Sequence, residues 1–216
     1  MGIREDYHIE DIDYRTATDL VIKKHYLHRK APCSYSFGLF DSCGEIVGCI
    51  IYGKPASNPL CKGVCGEDES ANVGELTRLW LSDDLPKNCE SYLIGNTLKK
   101  QGFEIVVSFA DSSQDHIGFV YQATNWIYTG LSTKRTETYV EGLEKLHCRT
   151  VWRNYTKKEL KEKYGDRVKT KERSRKHRYI YFNCDKRRKK ELVSKLRYNI
   201  SQYPKNNNNI DQRREK

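Results

Sequence analysis

No apolar run in these 216 residues approaches the roughly 18 that a bilayer-crossing helix needs. The opening, MGIREDYHIEDIDYR, is charged throughout, so no secretory leader is expected and the chain reads as soluble and cytoplasmic. Gly2 follows Met1, but Asp6 stands where a myristoylation motif needs Ser or Thr. Hydrophobic residues are only 37% of the chain and mean hydropathy is −0.82, which leaves 15 Tyr, 6 Phe and 3 Trp to supply the large buried surfaces. No internal repeat is visible. Of the cysteines (Cys33, Cys43, Cys49, Cys61, Cys65, Cys89, Cys148 and Cys184), only Cys61 and Cys65 are close. No second Cys/His pair follows them at zinc-ribbon distance, and in a reducing compartment free thiols are expected.

Acidic residues are scarce where basic ones abound. Residues 1–150 carry 16 Lys and Arg against 21 Asp and Glu, net −5; residues 151–216 carry 23 against 8, net +15. The overall charge of +10 therefore belongs to the C-terminal third. Such a segment is an electrostatic footprint for a polyanion, because each Lys or Arg on a phosphate releases condensed counterions. It lacks the apolar face that membrane-surface binding requires. The length suits one domain of about 150 residues plus an extension. We divide the chain into a main domain over 1–150, a basic extension over 151–200 and a disordered tail over 201–216, where the NNNN and QRREK stretches lie.

The densest information lies in FEIVVSFADSSQDHIGFVYQATNWIYTGLS, residues 103–132. An apolar run through Ile105, Val106, Val107 and Phe109 reads as a buried strand that breaks at Asp111. Ile117, Val120, Tyr121 and Thr124 then fall at helical spacing, and a second strand starts at Trp126. Asp111, Gln114, His116, Tyr121, Asn125 and Tyr128 are thereby gathered near the strand's C-terminal end, where open α/β sheets bind ligands. Singly, Asp111 reads first as a helix cap and Tyr121 as packing; the density of polar groups favours a site.

Elsewhere the pattern predicts a helix from Thr16 to before Pro32, carrying His25, Tyr26 and His28, with the two His at ligand-like spacing. A hairpin of Ser34–Phe40 and Glu45–Tyr52 follows, then a long loop from Gly53 to Asn72 and a strand from Gly74 to Leu81. Asn88 is placed to cap the next helix, whose first turn, with the Ser91 hydroxyl, would favour an anion. TKRTETYVEGLEK reads as a loop. Beyond it we expect a strand over His147–Tyr155, a helix over Lys157–Tyr164, a strand over Arg178–Phe182 and a basic helix from Lys186 to Leu196.

The order of elements predicts an α/β protein with a mixed central sheet flanked by helices, like that of GNAT acyltransferases. LVIKKHYLHRKAP, NVGELTRLWLSDDLPKNCESYLIG and VVSFADSSQDHIGFVYQATNWIYTGLS resemble the phage Mom family of DNA modification proteins over roughly residues 20–135. The resemblance implies an enzyme that adds a methylcarbamoyl-type group to adenine N6 in double-stranded DNA, shielding phage DNA from host nucleases in the bacterial cytoplasm. It assigns Arg78, Ser91, Asp111 and Tyr121 as catalytic: Asp111 as base, Tyr121 as acid to the leaving group, Arg78 and Ser91 on developing charge. A base inside a duplex must be flipped out, and Tyr128, Trp126 and Tyr52 are expected to stack on it, with Asn125 beside them. Arg173, Arg175, Lys176, Arg178, Lys186, Arg187 and Arg188 are the expected nucleic-acid contacts. DLPKNCESY lacks the glycines that let backbone N–H groups approach a pyrophosphate, which argues against an acyl-CoA donor and leaves the donor open. A metal, iron among the candidates, would have His25, Tyr26 and His28 as ligands. The rival readings are an acyl-CoA-dependent N-acetyltransferase of a protein or small amine, and a nucleic-acid-binding module without chemistry.

Overall fold

The computed structural model describes residues 3–143 and 155–205, so the strand expected over His147–Tyr155 lies almost wholly outside the described residues. Short α1 (Ile3–Asp6) and β1 (His8–Asp11) lead into α2 (Tyr14–Lys24). Asp13 caps α2 by accepting from the backbone N–H groups of Arg15 and Thr16, and the helix buries Ala17, Thr18 and Val21. Its end is a correction: His25 is already extended (φ −82°, ψ 137°) and His28 has φ +45°, so His25, Tyr26 and His28 share no helix face.

β2 (Tyr35–Phe40) and β3 (Ile46–Gly53) form the expected hairpin. The expected loop from Gly53 to Asn72 instead contains α3 (Asn58–Cys65), capped by Ser57 with Pro59 in its first turn. β4 (Val73–Leu81), α4 (Cys89–Thr97) and β5 (Ile105–Asp111) follow, with β4 and β5 parallel. α5 (Phe119–Ala123), β6 (Ile127–Leu131) and β7 (Arg135–Val140) come next. β7 replaces the predicted TKRTETYVEGLEK loop. The last elements are α6 (Lys157–Tyr164), β8 (Val168–Arg173), β9 (Lys176–Phe182) and α7 (Lys186–Lys195).

The α/β class therefore stands: a seven-stranded mixed sheet, in the order β1-β2-β3-β4-β5-β9-β6, is flanked by helices. β9 lies between β5 and β6, so the basic extension completes the sheet from within. The chain divides into two compact units rather than at residue 150: Met1–Ala110, Ile117–Gly130 and His177–Lys216 form one, Asp111–His116 and Leu131–Lys176 the other. The first holds the main core, where Phe37, Ile50, Tyr52, Leu76, Leu93, Val106 and Trp126 pack together. In the second, α6 buries Leu160 against Val140 of the two-stranded β7-β8 sheet. Residues 201–205, expected to be disordered, are placed in the first unit. The Ser201 N–H donates to the Tyr128 carbonyl and the Tyr203 hydroxyl to that of Trp126. All seven cysteines among the described residues are free. No helix there is long and apolar enough to cross a membrane.

α7 is held by charge. Glu69, 4% exposed, accepts from Arg188, from Lys195 at 2.7 Å and from Asn72 at 3.0 Å, while Arg188 also forks onto Glu104 at 2.9 and 3.0 Å. The bonds from Arg188 and Lys195 outweigh burial and bring the Glu69 carboxyl down to about 2. Its folded pKa lies below the unfolded value of 4.5, so its stabilisation is present above pH 4.5 and is lost as pH falls toward 2. Glu69→Gln is expected to cost about 2–3 kcal/mol in urea unfolding at pH 7 and to flatten the acid limb of stability against pH. An unchanged acid limb would show that this network does not hold α7.

Candidate active site

β4 runs for nine residues and β5 for seven, but their parallel ladder covers only Val73↔Ile105, Gly74↔Val106 and Glu75↔Val107. Beyond Glu75 the facing backbone groups are no longer paired to each other in a ladder, and the C-terminal halves of the strands offer polar edges to a ligand. At the point where the ladder ends stands Ser108, the one polar residue of the run Ile105 to Ala110. Its Oγ lies 3.1 Å from the Leu76 carbonyl and 2.8 Å from the Tyr121 hydroxyl. The carbonyl can only accept, so whenever Ser108 donates to it the phenol is the donor in the other bond. Tyr121 is buried, with its ring 5.1 Å from those of both Trp126 and Tyr179. Burial pushes the phenol up to about 12, so it keeps its proton at neutral pH.

A bulge in β4 sets the direction of Arg78. Ile51 pairs with Arg78 and Tyr52 with Leu76, so Thr77 is the extra residue. Leu76, Leu79 and Leu81 therefore join the main core beside Tyr52, while Trp80 packs on the other face with Ile51 and Val21. Arg78, paired with Ile51, goes to that second face. Its guanidinium donates to the Thr77 carbonyl at 2.6 Å and to those of Arg29 and Lys30 at 3.4 and 3.5 Å, pinning the turn after α2. Its Nε–H is buried without a partner, a donor still unspent. Burial lowers the Arg78 pKa, and Tyr26 and Glu75 pull it back up; the same two residues also raise Tyr121. Arg78 and Tyr121 thus share two electrostatic neighbours, Tyr26 and Glu75, in the first unit. Sequence reading did not single out Ser108, although a lone Ser in an apolar strand was an available signal.

Ser91 is more self-contained. Asn88 caps α4 in a left-handed conformation (φ +75°) without a side-chain bond to the helix, and the Ser91 hydroxyl turns back to the Asn88 carbonyl at 3.0 Å. Asn88 thus adopts the backbone state for which the absent glycine would be suited.

Asp111 belongs to the second unit, where it is almost saturated. Oδ1 accepts from the Ser113 N–H, the Ser113 hydroxyl and the Ser174 hydroxyl at 3.1, 2.8 and 2.9 Å, and Oδ2 meets Lys176 at 3.0 Å. Burial pushes the carboxyl up, but the bonds from Lys176 and Ser113 outweigh it and leave it at about 2. It is a fixed anion as well as the cap of the turn Ser112–Gln114.

The expected stacking groups need correction. Tyr52 and Trp126 are fully buried, Tyr52 bonded to Thr97 at 2.9 Å, so neither face is open to a base. Tyr128 is 7% exposed and its hydroxyl lies 2.8 Å from His177 Nδ1. Asn125 is exposed, with φ +60° just past α5, where it ends the helix. The nucleic-acid set also divides. Arg175 holds the Ser132 carbonyl at 2.7 Å, Lys176 holds Asp111, Arg178 lies 3.4 Å over the Tyr198 ring, and Arg188 is locked among carboxylates. Arg173 closes β8 opposite Arg135 and is half-buried; Lys186 and Arg187 are exposed, as are Lys189 and Lys190 beside them.

The two histidines named as metal ligands each turn a ring nitrogen to the backbone. His25 Nδ1 accepts from the Leu27 N–H at 3.1 Å, and His28 Nδ1 is 2.8 Å from the Ile22 carbonyl. Among the described residues, no three His, Cys, Asp or Glu side chains stand together as a metal site.

The Mom protein family matches residues 6–205. The methylcarbamoylase mom of Escherichia phage Mu is 32% identical over 212 residues, which cover 93% of this chain and 85% of the relative. Among solved structures, a ribosomal-protein alanine acetyltransferase from Vibrio fischeri is 12% identical (TM-score 0.46, 83% of this chain and 94% of that one). A spermidine/spermine N-acetyltransferase from Vibrio cholerae is 8% identical (TM-score 0.46, 84% and 95%).

The position of Lys176 gives a direct test. Lys176→Met is expected to move the Asp111 carboxyl up from about 2, as read by carbon NMR titration, because burial then acts with less opposition. A titration that stays in place would remove the ion pair from the account.

Proposed function

The chain belongs to the Mom protein family, and from that premise we propose that it is a group-transfer enzyme that modifies adenine N6 in double-stranded DNA with a methylcarbamoyl-type group. The phage Mu relative, a methylcarbamoylase, supports the group, and the net charge of +15 over residues 151–216 supports a polyanionic substrate. The proposed benefit is protection of phage DNA from host nucleases, in the host cytoplasm. The observation that carries the chemistry is the end of the β4–β5 ladder at a buried, protonated phenol. There the Ser108 hydroxyl and the Tyr121 phenol meet at the point where the two strands stop pairing.

The reaction joins the adenine N6 to the carbonyl carbon of the donor, breaks the bond from that carbon to the leaving group, and releases one N6 proton. Adenine N6 is delocalised into its ring and is a weak nucleophile, so an acceptor for that proton lowers the barrier. Asp111 is the proposed acceptor. With its carboxyl near 2 it is a poor base toward the neutral amine, so it holds the amine by a hydrogen bond and takes the N6 proton only as the new bond makes that nitrogen acidic. Tyr121, which keeps its proton, is the proposed donor to the leaving group. The Nε–H of Arg78 stabilises charge on the carbonyl oxygen. Ser91 completes the proposed set at the first turn of α4. The donor molecule is open, and no step is assigned to a metal.

For the grip on DNA, Lys186, Arg187, Lys189 and Lys190 are the exposed cations of α7, whereas Arg188 and Lys195 are spent on Glu69 and its neighbours. This narrows the expected contacts on α7 and removes Arg188 from them.

Nucleoside mass spectrometry of plasmid DNA from expressing cells is expected to show a new adenine mass with the wild type and none with Asp111→Asn or Tyr121→Phe. Wild-type product from either variant would remove that residue from the mechanism. Changing Lys186, Arg187, Lys189 and Lys190 together to Gln is expected to reduce the slope of log K against log salt by about three to four for duplex DNA, at about 0.9 per phosphate contact. Arg188→Gln is expected to leave the slope as it is and to lower the unfolding midpoint; the reverse pattern would place the grip elsewhere.

A further inference from the structure

α5 is only five residues long and presents two aromatic rings in opposite directions. Two positions along a helix are about 200° apart, so Phe119 and Tyr121 occupy opposite faces. Tyr121 goes inward to Ser108, while Phe119, 57% exposed, stands in solvent. A single exposed apolar side chain is ordinary. The turn that carries this one is not. Gly118 has φ +83°, and a Cβ there would come within 2.4 Å of the Tyr179 ring. The Tyr179 hydroxyl donates to the Ile117 carbonyl, and Gln122 Nε2 donates to the same carbonyl at 3.4 Å and to the Tyr179 hydroxyl at 3.2 Å. The Gly118 carbonyl accepts from the N–H groups of Tyr121 and Gln122 at 3.0 and 3.1 Å. The backbone beneath Phe119 is therefore tethered on both sides, and the ring is offered to solvent from a fixed platform, next but one to the proposed proton donor.

We propose that Phe119 is the wedge that enters the base stack and fills the gap left by the flipped adenine. The inference rests on the adenine-modification reading. Extruding a base from a duplex costs unstacking and unpairing, and proteins that distort duplexes offset this by inserting an apolar side chain between base steps. Such a group must be apolar, exposed before binding and rigidly carried, so that little ordering entropy is lost on insertion. Phe119 has all three properties. Tyr52 and Trp126, two of the three aromatic residues expected to stack on a flipped base, have none of the required exposure. The chemistry on the inward face of α5 and the opening of the stack on its outward face would then be set by one short helix.

The test combines product formation with a direct reading of base extrusion. Phe119→Ala is expected to lower adenine modification of plasmid DNA in expressing cells by about tenfold or more, with Phe119→Trp retaining most of it. With purified full-length protein, 2-aminopurine in place of the target adenine in duplex DNA is expected to brighten with the wild type and much less with Phe119→Ala. Placing the 2-aminopurine opposite an abasic site, where it is already loosened, is expected to restore the signal to Phe119→Ala. Undiminished modification by Phe119→Ala overturns the wedge, as does an equal loss of signal on both duplexes from a variant that unfolds at the wild-type midpoint. If the wild type leaves plasmid adenine unmodified, the adenine reading itself falls and the wedge with it; modification by the wild type that Phe119→Ala leaves intact removes the wedge alone.

Discussion

One buried hydroxyl governs the middle of this protein. Ser108 lies where the β4–β5 ladder stops, and its Oγ serves both the Leu76 carbonyl and the Tyr121 phenol. A carbonyl at the last laddered turn of a buried sheet must find a donor, and a strand continued by another apolar residue would leave it without one. By answering that need from a side chain, the sheet can stop pairing without leaving the carbonyl orphaned. The same hydroxyl fixes the position of the phenol. Tyr121 is in turn packed against Trp126 and Tyr179, so the end of the ladder, the aromatic core and α5 are mutually determined.

The charges follow a second rule, that cations near the sheet are spent on the protein's own anions and carbonyls, while those further out are available to a partner. Lys176 is used on Asp111, Arg188 and Lys195 on Glu69, and Arg178 on the Tyr198 ring and Thr129. Each of these holds a strand or helix of the basic extension in place, which explains how a segment with net charge +15 contributes a strand to the interior of a sheet. Repulsion within α7 is relieved on one side by Glu69, Glu104 and Glu191, leaving Lys186, Arg187, Lys189 and Lys190 on solvent. Basicity in the sequence thus stands for two different physical jobs, and burial separates them.

The α/β class, the hairpin, and β4, α4 and β5 were legible because periodicity and turn residues are local properties of the chain. So was the density of polar groups after β5. The end of α2 was misplaced because Lys24 to His28 continue a helical spacing, while the tertiary structure turns the chain there so that the carbonyls of Arg29, Lys30 and Pro32 meet Arg78 and Thr77. α3 was hidden by Pro59 and two glycines, and β7 by its polar alternation, which a two-stranded sheet accepts because one of its faces is solvated. Tyr52 and Trp126 were taken for stacking groups because an aromatic residue looks the same in sequence whether its face is open or covered.

By itself, then, the sequence determined the class of fold, the resemblance to its family, and the sign and location of the charge, since each depends on residue type and near-neighbour spacing. Only the tertiary structure decided where β9 enters the sheet, which cations remain unspent, that the Ser108 hydroxyl meets the Tyr121 phenol, and that Phe119 rather than Trp126 faces solvent. Those are matters of burial and of contacts between residues far apart in the chain. Their energies exist only once the chain has closed on itself and water has been excluded from one side of each ring and charge.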